Sequence, residues 1–325
     1  MPRIIRPTAY GDPDVLHMVE VPLPDPTPGH VLVQVKAAGV NPIDWKLYSG
    51  AFHRVDDKLK GEAGIDDAAL PSVGLECAGV VAALGAEVTG TRVGDEVIVY
   101  PVTAAYADYV VAPTSSLIPK PTTLGWPQAA ALMLAGTTAV HALHAAEVRT
   151  GDTVLIHGGS GGVGLMAIQL AAELGAAVVA TAADANHELL RSLGVIPVTY
   201  GPGLLDRVAA AAPRRCRRRA RPHRHRGSTE EALDTSLALV RPPGRIASIA
   251  GGPRRAQHGA KVLGNAPGAD MGTEIRQAAR HELAAKAEAG TLRVIISATY
   301  PLDHAAEAHR AGIAGHSPGK LALIP

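Results

Sequence analysis

Thr153-Val154-Leu155-Ile156-His157-Gly158-Gly159-Ser160-Gly161-Gly162-Val163-Gly164 runs four apolar or β-branched residues directly into a glycine-dense turn. Gly159, Gly161 and Gly164 stand in G-x-G-x-x-G register: one glycine closes the turn, one lets backbone approach a pyrophosphate, and one lets helix pack on strand. The pyrophosphate is expected on the unpaired N–H groups of a helix N-terminus. A lone match of this kind also arises in plain loops, so its surroundings decide. Val163 to Leu174 is expected as a helix, Gly175 as its stop, and Ala177 to Thr181 as a second apolar strand. That completes a βαβ unit, the setting in which the turn binds a dinucleotide.

The chain has 325 residues, 47% of them hydrophobic, enough for two domain cores. A formal net charge of +1 gives no global case for nucleic-acid or membrane partners. Two cysteines, Cys77 and Cys216, supply no disulfide framework, and Arg3, Arg6, Asp12 and Asp14 interrupt any signal-like apolar run. The expected location is the cytoplasm. The apolar window Ala129 to Ala146 contains Thr137, Thr138, His141 and His144, so it reads as a buried helix rather than a membrane span.

The first 120 or so residues hold strand-like segments, Val31 to Ala37, Gly79 to Leu84 and Glu96 to Tyr100, separated by Pro and Gly signals. Pro119, Pro121 and Pro127 mark a boundary, followed by a helix from Gln128 and the alternating pattern of a parallel sheet. Ser228 and Glu231 form an S-x-x-E capping box ahead of a helix to about Val240, and Arg245 to Ala250 is expected as a strand. Beyond it come a helix around Thr273 to Ala289, a strand around Leu292 to Ala298, a helix from Pro301, and a last strand Lys320 to Ile324. This tail is expected to rejoin the first domain.

Four further pieces accompany the glycine turn: Ala38-Gly39-Val40-Asn41-Pro42-Ile43-Asp44-Trp45-Lys46, Gly74-Leu75-Glu76-Cys77-Ala78-Gly79-Val80-Val81, Val93-Gly94-Asp95-Glu96-Val97, and Gly315-His316-Ser317-Pro318-Gly319-Lys320. With these pieces the chain resembles, over nearly its whole length, the medium-chain dehydrogenase/reductase superfamily. Within it, the match is to the zinc-independent quinone oxidoreductase and alkenal or enone reductase group. The resemblance implies an α/β fold: a Rossmann doubly wound parallel sheet plus a GroES-like β-rich catalytic domain. Residues 1–122 and 270–325 would form the GroES-like domain and 123–269 the Rossmann domain, with a cleft between them for cofactor and substrate. It also implies a homodimer, and hydride transfer from NADPH to a quinone or an α,β-unsaturated carbonyl. An enoyl or ketone reductase of secondary metabolism on the same scaffold is the alternative. From another class comes a low-turnover NADPH-binding protein with nucleic-acid affinity.

Chemistry bears on zinc as well. A catalytic zinc needs three protein ligands and a structural one usually four thiolates. Where zinc-dependent relatives place a cysteine this chain has Asn41, and where they place the histidine of a G-H-E motif it has Leu75. His141 and His144, spaced i,i+3, are read as helix-face histidines. No metal is expected.

NAD-specific sites usually carry a carboxylate about 20 residues past the glycine turn, bonded to the ribose 2′-hydroxyl. The count from Gly161 lands on Thr181. A small hydroxyl leaves room for a 2′-phosphate and can donate to it, which favours NADP(H). Asp184 is read as the cap of the helix through Leu193. The resemblance supplies Tyr200 on the 2′-phosphate side, while Asn186 and His187 occupy the region where a basic residue is common. The cofactor-binding set is then Gly158, Gly159, Ser160, Gly161, Gly162, Val163, Gly164, Thr181 and Tyr200. The set also includes Ala250, Gly251 and Lys320.

The catalytic candidates Asn41, Asp44 and Lys46 lie on the motif that faces nicotinamide and substrate in the resembling enzymes. Lys46 would meet negative charge on an enolate or quinol oxygen, Asn41 would orient the carboxamide or substrate, and Asp44 would organise the turn. The plainer reading makes Asn41-Pro42 a turn, with Asp44 on local backbone and Lys46 in solvent. Glu76 is read as a buried structural carboxylate and Cys77 as a core thiol.

One segment fits nothing around it. Residues Arg214 to Arg226 hold eight of the chain's 23 arginines, where the Rossmann pattern calls for a buried apolar strand. It reads as a solvated basic loop, a phosphate- or nucleic-acid-binding patch, or a compensated reading-frame error. Arg214 to Arg221 can be written CGA CGG TGT CGA CGC CGC GCT CGA. A one-base shift gives GAC GGT GTC GAC GCC GCG CTC GA, or Asp-Gly-Val-Asp-Ala-Ala-Leu-Asp, a string suited to a helix end and strand. This favours the frame reading.

Overall fold

A computed structural model describes residues 1–50, 70–212, 222–223, 230–250, 253–265, 267–315 and 317–325. The chain divides into two compact units, Met1–Leu134 with Ala284–Pro325, and Ala135–Leu283. Residues 123–134 fall in the first unit, where the helix Trp126–Ala130 packs on the sheet, and residues 270–283 fall in the second.

The strands of the N-terminal stretch are β1 (Arg3–Pro7), β2 (Leu16–Glu20), β3 (His30–Val40), β4 (Cys77–Leu84), β5 (Glu96–Val99), β6 (Tyr109–Pro113) and β7 (Leu117–Pro119). The central stretch adds β8 (Thr153–Ile156), β9 (Ala177–Ala182), β10 (Ile196–Thr199), β11 (Pro222–His223), β12 (Ala247–Ser248) and β13 (Lys261–Val262). The C-terminal stretch contributes β14 (Ile296–Pro301) and β15 (Lys320–Ile324).

In the first unit the sheet runs β14-β15-β3-β4-β5-β7, with β6 also paired to β3. β3 is its organiser: β-branched and small residues let it sit between partners, and Val31, Val33 and Val35 enter a core with Tyr48, Tyr106, Val97 and Leu323. The tail does rejoin this unit. β15 runs antiparallel to β3, setting Leu321, Ala322 and Leu323 against Val40, Gly39 and Ala38. This register carries Lys320 to the segment that ends at Asn41, 279 residues away in sequence.

In the second unit β10-β9-β8-β11 form a parallel sheet, and β12 and β13 a separate parallel pair. The helix Gly162–Glu173 crosses from β8 to β9 and stops before Gly175, which takes a left-handed φ of 79°. β11 pairs Pro222 and His223 with Leu155 and Ile156, in the place where the arginine-rich segment offers no apolar strand. The rest of that segment, and Ser228 of the expected capping box, lie outside the described residues.

Several expectations need correction. The strand expected over Arg245 to Ala250 is only Ala247–Ser248, because Pro243–Arg245 forms a 3-10 turn ahead of it. The strand expected over Leu292 to Ala298 begins at Ile296 and reaches Pro301, its register set by pairing with β15. The helix expected from Gln128 is two, Trp126–Ala130 and Met133–Ala145, broken at Ala131. Asp184 caps no helix by its side chain; its carboxylate accepts the Thr199 hydroxyl instead. Among the described residues no helix is long and apolar enough to cross a membrane.

Candidate active site

The expected site residues fall in both units. In the second unit, Gly158 takes φ 68°, so the turn closes one residue before the glycine expected to close it. Gly159 serves packing: a Cβ there would meet Ala180 Cβ at 2.6 Å. Gly164 packs helix on turn as expected, since a Cβ would collide with the Gly158 carbonyl oxygen. Gly161 is the N-cap of the helix Gly162–Glu173, and as a glycine it offers no side chain to cap it. The first-turn N–H groups of Gly162, Val163 and Gly164 therefore point out of an apolar helix beside the turn, a cradle that fits a phosphate anion.

Thr181 braces this turn. Its hydroxyl accepts the Gly158 N–H at 3.0 Å, its carbonyl accepts the Gly159 N–H at 2.8 Å, and it is 2% exposed. Its role is thus to fix the loop, and the rim is left to neighbours. Asn186 donates to Ser160 Oγ at 3.2 Å, and Tyr200 is 57% exposed. The Arg207 guanidinium wraps the carbonyls of Thr199, Gly201 and Pro202 around Tyr200. Ala250 accepts the Ser248 hydroxyl at 2.9 Å. Gly251 lies outside the described residues, as does nearly all of the loop from Phe52 to Leu70. His141, read as a helix-face histidine, is buried and pairs with Asp270 at 3.0 Å.

In the first unit the motif Asn41-Pro42-Ile43-Asp44 opens the helix Pro42–Tyr48. Proline at the first helical position loses no needed N–H, and Asp44 Oδ2 reaches back to accept the Asn41 N–H at 2.8 Å. The Asn41 side chain donates to Glu76 Oε1 at 3.0 Å. Lys320 Nζ donates to Val40 O at 3.0 Å, to Glu76 Oε1 at 3.1 Å and to Asn41 Oδ1. Glu76 Oε2 accepts the Leu134 N–H at 2.7 Å. All of these side chains are buried, so Glu76 is the structural carboxylate expected, and the three ammonium donors of Lys320 serve this cluster. Lys46 is apart from it, exposed on the same short helix.

Asp44 is fully buried, and burial pushes its carboxyl up to about 7 against the pull of Tyr106 and Asn41 hydrogen bonds and of Lys320. Cys77 is a core thiol whose pKa burial drives upward. Sequence reading missed Tyr106, Tyr48 and His309, which stand behind Asp44. No local signal marks them; the pairs His309–Tyr106 and His309–Tyr48 are 203 and 261 residues apart.

These donors do not fit zinc. Asn41 Oδ1 faces an ammonium, Leu75 offers no lone pair, and the Cys77 thiol is held protonated. Among the described residues no three His, Cys, Asp or Glu gather to hold a metal ion.

Residues 27–148 match the family described as alcohol dehydrogenase GroES-like domain, and residues 177–323 the one described as zinc-binding dehydrogenase. The chain is 31% identical to a quinone oxidoreductase of Mus musculus over 344 aligned positions, covering 99% of this chain and 97% of the relative. The chain belongs to the quinone oxidoreductase group of the medium-chain dehydrogenase/reductase superfamily. Among solved members, the quinone oxidoreductase from Coxiella burnetii is 31% identical with a TM-score of 0.81, covering 100% of this chain and 99% of that one. A mycobacterial protein solved with NADPH is 28% identical with a TM-score of 0.82, and each chain is covered in full. The superfamily fold, a GroES-like domain with a Rossmann-like parallel sheet, is therefore the fold of this chain. Its second domain takes a zinc-binding family's description, yet this chain's own donors are unsuited to the ion.

Proposed function

We propose that this oxidoreductase transfers hydride from NADPH to a quinone or an α,β-unsaturated carbonyl without a catalytic metal. The single observation that carries this reading is the cluster Asn41–Lys320–Glu76, where a zinc-dependent member would need lone-pair donors and this chain has an amide bonded to an ammonium. When bound, the nicotinamide supplies hydride. The chain's residues then have to hold the cofactor, orient the acceptor and keep water away. The N–H groups of Gly162, Val163 and Gly164 hold the pyrophosphate. Asn41 orients the acceptor or the carboxamide, and Asp44 fixes the turn that carries Asn41.

NADPH over NADH is supported by Thr181, which puts no carboxylate at the end of β9, and by the mycobacterial relative solved with NADPH. Ser160, Asn186 and Tyr200 offer neutral hydrogen-bonding groups for the 2′-phosphate. Two cysteines that supply no disulfide framework favour the cytoplasm, and by family resemblance we place the enzyme as a homodimer, which size-exclusion chromatography with light scattering tests. An acceptor screen with NADPH and then NADH, with and without chelator, tests the function. Turnover with quinones or enones supports it. Oxidation of simple alcohols only, or NADPH binding without turnover together with salt-sensitive RNA binding, contradicts it.

A further inference from the structure

Behind Asn41 lies a run of buried side chains that the reductase reading does not use. Tyr48 Oη stands 2.7 Å from His309 Nδ1, and His309 Nε2 stands 3.0 Å from Tyr106 Oη. Tyr106 in turn donates to Asp44 Oδ2 at 2.8 Å, the oxygen that also accepts the Asn41 N–H. The helix Pro42–Tyr48, the loop at Tyr106 and the helix Ala305–Ala314 each contribute, so only the folded unit assembles the run.

Counting hydrogens gives the run a direction. Tyr106 has one hydroxyl hydrogen, and it goes to the carboxylate, so its oxygen must accept from His309 Nε2–H. Burial holds the His309 ring neutral, its pKa depressed to about 3, which leaves it a single N–H. Nδ1 is then the acceptor, and Tyr48 donates to it. While Asp44 is charged, the chain of donation reads Tyr48 to His309 to Tyr106 to Asp44.

Asp44 is where the chain ends. Its Oδ2 accepts two donors, whereas its Oδ1 is buried and finds no hydrogen-bond partner among the described residues. The charged and titratable groups around it are Lys320 from β15, Glu76 just before β4, Tyr106, and, one step back, His309 and Tyr48. Cys77 adjoins Glu76, and Asp12 and Arg310 act on Tyr48.

We propose that His309 orders a one-way hydrogen-bond relay, Tyr48 to His309 to Tyr106 to Asp44, which sets whether Asp44 holds a proton and thereby positions Asn41. His309, Tyr106 and Tyr48 are positioning residues in this scheme. The proton comes from solvent and sits on Oδ1, the unpartnered oxygen. The consequence for catalysis rests on the reductase reading of Asn41; the relay itself does not.

His309 also stacks on Tyr48, with ring centroids 5.6 Å apart at 11°, and meets Trp45 and Tyr106 edge-on. Ring packing is thus the competing role, and two substitutions separate them. Glutamine can donate to Tyr106 and accept from Tyr48; phenylalanine keeps the ring and removes both bonds. The full chain is labelled with carboxyl-13C aspartate and titrated by NMR, with the Asp44 signal identified by its loss in Asp44→Asn. We expect Asp44 to titrate near neutrality. Tyr106→Phe should raise its midpoint by about one pH unit, about tenfold in proton affinity, because a donor to the charged form is lost.

His309→Gln should keep the midpoint near that of the unaltered protein, and His309→Phe should move it upward. A midpoint in the ordinary carboxylate range, or one unmoved by Tyr106→Phe, overturns the relay. So does a pattern in which phenylalanine preserves the midpoint and glutamine does not. With quinone and NADPH, the pH profile of kcat should move with the NMR midpoint while KM for NADPH stays constant. If the unaltered protein does not turn over, the reductase reading fails while the titration still judges the relay.

Discussion

Tyr106 gives its hydroxyl hydrogen to Asp44 Oδ2 at 2.8 Å, while Asp44 Oδ1, in a fully buried site, has no partner among the described residues. A carboxylate satisfied on one side only is costly when charged, and its burial raises the pKa for that reason.

Stability should therefore depend on Asp44 in a definite pH window. The unfolded chain releases this proton near 3.8 and the folded chain near 7. The contribution of the bound proton is complete below 3.8 and is lost as pH rises through about 7. Asp44→Asn keeps an acceptor for Tyr106 and Asn41 and removes the charge. We expect it to raise Tm by roughly 3–6 °C at pH about 8.5 and to leave it nearly unchanged at pH about 4. Calorimetry across the pH range checks this, and a gain confined to acid would contradict it.

The Lys320–Glu76 pair should behave as a buried ion pair. Lys320→Met leaves the Glu76 carboxylate buried opposite no cation, at a cost of about 3–5 kcal/mol. The double variant Lys320→Met/Glu76→Gln should recover most of that loss. Denaturant titration of the two variants measures it, and equal stabilities would show that the charges are not coupled.

The glycine turn should answer to space at Ala180. Gly159→Ala sets a methyl 2.6 Å from Ala180 Cβ, pushing β9 from the turn. We expect at least a tenfold loss of NADPH affinity, roughly 1.4 kcal/mol, with partial recovery in Gly159→Ala/Ala180→Gly. Fluorescence titration of NADPH reads both. Full affinity in the single variant would mean the contact is slack.

Cofactor choice should respond to charge beside Ser160. Asn186→Asp puts a carboxylate where the amide now meets Ser160 Oγ. It should repel a 2′-phosphate and lower the NADPH-to-NADH ratio of kcat/KM by roughly tenfold, about 1.4 kcal/mol. An unchanged ratio would place the 2′-phosphate elsewhere.

The glycine turn, its helix and β9 were legible in the sequence because a βαβ unit is local: apolar strand, glycines and helix stop follow one another within 30 residues. Even there the roles slipped by one glycine, since which of Gly158 and Gly159 takes positive φ depends on the packing of Ala180. The Asn41 motif showed its turn but not its surroundings. The sequence points Lys320 to the cofactor and carries no sign of Glu76, to which the antiparallel register of β15 on β3 brings its ammonium. Tyr106 and His309 carried no signal at all, for their partners come from three distant pieces of chain. β14 was misplaced for a similar reason: buried Leu292 and Val294 look like strand residues, but only pairing with β15 decides where the strand begins.

Steady-state oxidation of NADPH by a quinone in the presence of a strong chelator tests the central claim most directly. We expect one NADPH consumed per quinone reduced, an unchanged rate after chelation, and kcat/KM for NADH about tenfold or more below that for NADPH. Activity that disappears on chelation and returns with zinc, or no turnover with any quinone or enone, would contradict it.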